Sequence, residues 1–132
     1  MKEKNFTVAD VRELIPWLED IFLRIGKELE QQRKLLDVLM SHNLEMQSNG
    51  GGTAEAKLKE ARTVYEETKR SIDNLLASVL RLGILVKDIS NGLVDFPSIR
   101  DGKIIYLCWK KGEPDISFWH ETNAGFRGRQ PL

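Results

Sequence analysis

Apolar residues recur along the first third of the chain at Val11, Ile15, Leu18, Phe22, Ile25, Leu29, Leu36 and Leu39. The steps alternate four and three, with Gln32 filling the one missing place. This is a heptad seam, the pattern of helices packed as in a coiled coil. Upstream, "NFTVADV" reads as a helix start. Thr7 is placed to cap, Asp10 falls at the third helical position, and Phe6 is placed to staple onto Val11. Pro16 lies inside the seam and removes a backbone donor, which predicts a bend or a short first helix running on into a longer one. "QSNGGGTAEA" then breaks the pattern: its glycines predict a loop near 47–52, with Thr53 capping the next helix. A second seam runs through Leu58, Ala61, Tyr65, Thr68, Ile72, Leu75, Val79 and Leu82, and Gly83 ends it. Two helices of about 40–50 Å, joined by one loop, predict an antiparallel hairpin over 7–83.

After Gly83 the period changes. "ILVKDI" is strand-like, Asn91-Gly92 is a strong hairpin signal, and "LVDF" comes next. Asp101-Gly102 marks a second hairpin leading into "KIIYLCW"; "KKGEP" is a third turn and "DISFWH" a fourth strand. The expectation is an α+β fold in a single domain, 1–132: the helical hairpin, a four-stranded antiparallel meander over 84–120, and a tail, 121–132, packing on the sheet. Ile105, Leu107 and Trp109 fall on one face of the third strand, and Ile104, Tyr106 and Cys108 on the other. Both faces are apolar, so one meets the helices and the other needs cover from the tail, a partner subunit or a ligand.

Length and charge narrow the classes. A chain of 132 residues fits one domain. Lys plus Arg and Asp plus Glu each number 20, and this balance argues against a nucleic-acid binder, whose affinity rests on a basic excess. Cys108 is the one cysteine, so an internal disulfide is excluded and a reducing cytoplasm fits. "MKEKNFTV" contains no apolar signal core, and no run approaches the roughly 18 apolar residues of a membrane span.

Several stretches carry a family resemblance: "FTVADVRELIPWL", "KDISNGLVDFPSIRDG", "YLCWKKGEP" and "FWHETNAGFRGRQPL". With these the chain resembles the prokaryotic family catalogued as domain of unknown function 2203. The resemblance implies that the C-terminal third is the family's distinctive part. It carries over no reaction, substrate or catalytic residue.

Three constellations could carry chemistry. With Asn91-Gly92 as a two-residue turn, Asp88 and Asp95 stand directly opposite each other. Like charges so placed call for a metal ion, a basic ligand or an arginine between them. His120 adds an imidazole. Two carboxylates and one imidazole suit iron, manganese or zinc. Glu121 is a further candidate only if the strand ends at His120, since neighbouring strand residues face opposite sides. The competing reading is a satisfied core histidine and a structural ion pair. The third constellation is "GFRGRQPL", where Arg127 and Arg129, with Arg100, could grip a small anion. Its competing reading is a structural clasp, with Phe126 plugging an apolar gap and the arginines paired to Glu113 or Asp115. Cys108, between Leu107 and Trp109, reads as a buried inert thiol, and His42 as a solvated histidine near the hairpin tip. "NGGGTAEA" lacks the lysine-serine signature of a phosphate loop.

Two functional classes remain. One is an interaction module that forms homodimers, or binds other proteins, through its helices or sheet. The other is a metal- or anion-binding domain, in its sharpest form hydrolytic, with its site at the meander and tail.

Overall fold

The computed structural model describes residues 5–49 and 52–132, with side chains described outside 42–49 and 52–54. Gly50 and Gly51, and the side chains of His42, Met46 and Thr53, lie outside that range. Among the described residues there are two helices, α1 (Val8–Asn49) and α2 (Gly52–Leu80). Five strands come after them: β1 (Leu85–Asp88), β2 (Leu93–Arg100), β3 (Lys103–Lys110), β4 (Phe118–Glu121) and β5 (Gln130–Pro131). They form one antiparallel sheet in the order β1-β2-β3-β4-β5. The expected helical hairpin and meander are present. The fifth strand corrects the expectation of four: two residues of the tail add to the edge of β4, and the Leu132 amide donates to the Ser117 carbonyl at 3.0 Å.

The helix start forms as its residues dictate. The Asp10 amide donates to Thr7 Oγ1 at 3.1 Å and the Thr7 amide to Asp10 Oδ2 at 2.9 Å, a reciprocal capping box. α1 runs unbroken through Pro16 and on to Asn49, past the expected start of the loop. α2 ends where Gly83 takes φ +89°, a left-handed value that glycine adopts without strain.

The chain groups into two compact units: Met1–Leu23 with Leu75–Leu132, and Arg24–Asn74. The second consists of the remainders of α1 and α2. Its buried seam is Ile25, Ala61, Thr68 and Ile72, and Thr68 satisfies its hydroxyl on the Tyr65 carbonyl at 2.7 Å.

In the first unit Val94, Phe96, Leu107 and Trp109 are all at most 2% exposed and form the inner face of the sheet. The segment leading into α1 is tied to that face. Phe6 meets Phe96 edge-on at 5.3 Å between ring centres, and its carbonyl accepts from Ser98 Oγ at 2.5 Å. Further along α1, Glu19 Oε1 accepts from the Gly112 amide at 3.0 Å. Arg12 pairs with Asp115 at 2.9 Å. The hydrogen bond from Arg12 holds the Asp115 carboxyl below its usual range.

Two tight turns differ. Asp101 and Gly102 have φ +52° and +76°, and Arg100 pairs with Lys103, the two-residue hairpin that the sequence predicts. At Asn91-Gly92 the expected register does not form. β1 ends at Asp88, which pairs with Leu93, and a bulge lies between Val86 and Asp88. The turn takes four residues, 89–92, with only Gly92 in the left-handed region (φ +65°). Leu85, not Asp88, stands opposite Asp95. The cause is local: the Asp88 carboxylate accepts from the Asn91 amide (3.1 Å) and side-chain nitrogen (2.8 Å) and closes the turn on itself.

Candidate functional site

The Asp101-Gly102 hairpin sets Asp95 directly opposite Cys108, and β4 sets His120 opposite Tyr106. Side chains alternate along a strand, so Asp95, Cys108, Tyr106 and His120 share the outer face. Asp95 and His120 are 2% exposed and Cys108 is fully buried. The ligand atoms of Asp95, Cys108 and His120 all lie within 4.8 Å of one another.

Donors and acceptors fix the state of the imidazole. His120 Nδ1 lies 2.8 Å from the Glu121 carbonyl oxygen, which can only accept, so Nδ1 carries its hydrogen. Nε2 faces Asp95 Oδ1 at 3.0 Å, and the two share one proton. The Tyr106 ring meets His120 edge-on at 5.6 Å between ring centres. Burial pushes the Cys108 thiol up to about 12; the nearby Asp95 acts in the same direction and Arg129 against it. The thiol is therefore protonated and unreactive as it stands.

Cover for the outer face comes from the tail, where Arg129 pairs with Glu113 as the clasp reading anticipates; Phe126, at 44% exposed, plugs no gap, and Asp115 pairs with Arg12 rather than with a tail arginine. The Arg129 guanidinium lies 4.1 Å from the Phe118 ring centre and 4.7 Å from that of Phe126. Its Nη2 donates to both oxygens of Glu113, at 2.6 and 2.8 Å, and to the Cys108 carbonyl at 3.2 Å. Glu113 in turn accepts from the Lys110 amide at 2.7 Å, and its carbonyl accepts from Trp109 Nε1 at 2.9 Å.

The structure sorts the residues that the sequence singles out. Asp95 and His120 meet. Asp88 is elsewhere: it closes its own turn, and hydrogen bonds from Asn91 hold its carboxyl below the usual range. Glu121 continues β4, so its side chain turns to the opposite face from His120 and pairs with Lys103 Nζ at 2.9 Å. Of the arginines, Arg129 is engaged by Glu113, Arg100 lies over the Trp119 ring at 4.7 Å, and Arg127 is exposed. The pocket of about 380 Å³ beside Arg100 also holds Asp101, Lys103 and Glu121, a mixture of charges that does not favour an anion. Cys108 is the member that sequence reasoning set aside. A signal for it existed: a two-residue turn at 101–102 pairs residue 95 with residue 108.

Fold and site together define an α+β protein in which a helical hairpin is followed by a small meander hiding an Asp-Cys-His cluster on its outer face. The chain belongs to the family described as Uncharacterized conserved protein (DUF2203), whose model matches residues 4–132. Comparison with curated proteins and with solved structures returned no match. Among the described residues, no helix is long and apolar enough to cross a membrane.

Proposed function

We propose that this protein is an interaction module that self-associates through its helical hairpin as a homodimer with coiled-coil packing. The observation that carries this reading is apolar surface left exposed on α1 beyond Ile25, on the side of Leu36 and Met40, while Leu39 is partly buried. Ile25 is fully buried, but Leu36, in the same seam, is 46% exposed, and Met40 one turn beyond is 68% exposed. Two helices alone leave this stretch uncovered, and a heptad pattern supplies its own complement in a second copy. Charge does not oppose the pairing: the chain is neutral overall, and Glu30, Arg33 and Asp37 compensate one another along the same helix. Analytical ultracentrifugation tests it. The wild type is expected to sediment as a dimer at micromolar concentration and the Leu36→Glu/Met40→Glu variant as a folded monomer. A wild type that stays monomeric at about 100 μM sinks self-association and turns the search to other proteins.

One observation favours a second reading, a metal-binding domain: three buried side chains of ligand type converge at the sheet.

A further inference from the structure

We propose that Asp95, Cys108 and His120 are the protein ligands of a tetrahedral divalent ion, zinc foremost. The inference rests on the second reading, metal binding at the sheet, and not on self-association. Three arguments carry it.

The first is convergence from rigid elements. Each ligand comes from a different strand, β2, β3 and β4, and paired backbones hold all three on one face. The separation of Nε2 and Oδ1, 3.0 Å, is close to that between two ligands of one small ion, whose bonds to N and O are each about 2.0–2.2 Å. The three ligand atoms lie within 4.8 Å of one another, and closure by about 1 Å around a centre would bring the sulfur to its usual distance of about 2.3 Å.

The second is the histidine tautomer. A ligating imidazole characteristically donates its other N–H to a carbonyl or carboxylate, which fixes the ring and makes the ligating nitrogen more basic. His120 does this through Nδ1 to the Glu121 carbonyl, leaving Nε2 aimed at Asp95 and the cluster. The backbone of β4 thereby fixes Nε2 as the ligating nitrogen, which binds once the proton it shares with Asp95 leaves.

The third is charge and softness. A carboxylate, a thiolate and a neutral imidazole carry two negative charges, which one dication neutralises inside a site closed to water. The ion's own field removes two protons on binding, that of the Cys108 thiol and the one shared by His120 Nε2 and Asp95 Oδ1, and both pass to solvent. A mixed S, N, O set selects a borderline ion. Calcium and magnesium take oxygen ligands, manganese prefers carboxylates, and zinc accepts all three donor types. Three protein ligands leave one tetrahedral position for a non-protein donor.

Native mass spectrometry and cobalt spectroscopy on the full chain test the proposal. The protein is purified without chelator, then unfolded and refolded with zinc chloride or cobalt chloride. The expected result is one ion per chain, with a thiolate-to-cobalt charge-transfer band. Cys108 is the one cysteine, so that band alone identifies it as a ligand, even where Cys108→Ser fails to fold. In folded Asp95→Asn the zinc affinity should fall by about 100-fold or more, while Asp88→Asn should leave it unchanged. A folded wild type that takes up neither ion in excess overturns both the ligand set and metal binding itself. Bound cobalt without the charge-transfer band, or zinc retained undiminished by Cys108→Ser, overturns the ligand set and places any metal elsewhere.

Discussion

Asp95 and Phe96 are neighbours in β2 and are buried to the same depth, 2% and 0% exposed. They face opposite sides of the sheet and are buried by opposite means. Phe96 lies among Val94, Leu107 and the edge of Phe6, where removal from water supplies the stabilisation. Asp95 lies against His120 and Cys108, where a carboxylate is tolerated only because its neighbours supply hydrogens. The inner face is insensitive to solution chemistry. The outer face depends on protons or on whatever replaces them.

Substitutions can break that contrast, beginning with the largest effect. Phe96→Ala should cost about 3–5 kcal/mol, with the same loss at pH 6 and pH 8, read from urea midpoints. Gly92→Ala should cost about 1–3 kcal/mol. The position has φ +65°, and an added Cβ would lie 2.6 Å from Lys111 Cβ and 3.2 Å from the Phe22 ring. Arg129→Gln should cost about 1–2 kcal/mol, because it leaves the half-buried Glu113 carboxylate without its cation and uncovers Phe118; chemical denaturation at neutral pH reads it.

The metal-free outer face should also show itself in alkali. The Cys108 thiol is raised from 9.0 to about 12, so the folded chain holds this proton more tightly than the unfolded chain. Its contribution is fully present below pH 9 and is lost as pH rises toward 12, at up to about 1.4 kcal/mol per unit. Cys108→Ser should remove that component of the pH dependence; an unchanged alkaline slope would contradict it. The smallest effect belongs to the hairpin. Leu36→Ala should cost less than about 1 kcal/mol in the isolated chain, since nearly half of the side chain is already exposed; a dimer would lose more, and the concentration dependence of the melt separates the two.

How much of this was legible depended on which interactions set each register. The two helices and the buried run from Val11 to Ile25 follow from spacing alone, and so does the capping box at Thr7 and Asp10, whereas Leu36 in the same seam is exposed. The Asp101-Gly102 turn needs two left-handed residues in succession, so its sequence determines the pairing of β2 with β3 across their whole length. Asn91-Gly92 carries the same signature, but there the Asp88 side chain supplies a competing set of hydrogen bonds, and the longer turn shifts Asp95 away from Asp88. The sequence offers the meeting of His120 with Asp95 as one of two readings, but the register of β4 is not readable from it, because the connection over residues 111–117 is too long to fix one. It is set by long-range ties from Glu113, Asp115 and Arg129. β5 escaped notice for a related reason: two residues, one of them proline, have no periodicity.

The strand edges bear on how this molecule can meet others of its kind. An open sheet edge is a template on which further strands can add without limit, the route to fibrous aggregates. On one side the open edge is β5, two residues long, and Pro131 offers no amide. On the other, β1 is four residues long and interrupted by a bulge, with Lys87 exposed on it. Neither border offers a flat ladder to a newcomer. Polymerisation by strand addition is thus disfavoured at both ends of the sheet, which makes a closed, countable assembly compatible with an otherwise small and heavily β-paired C-terminal region.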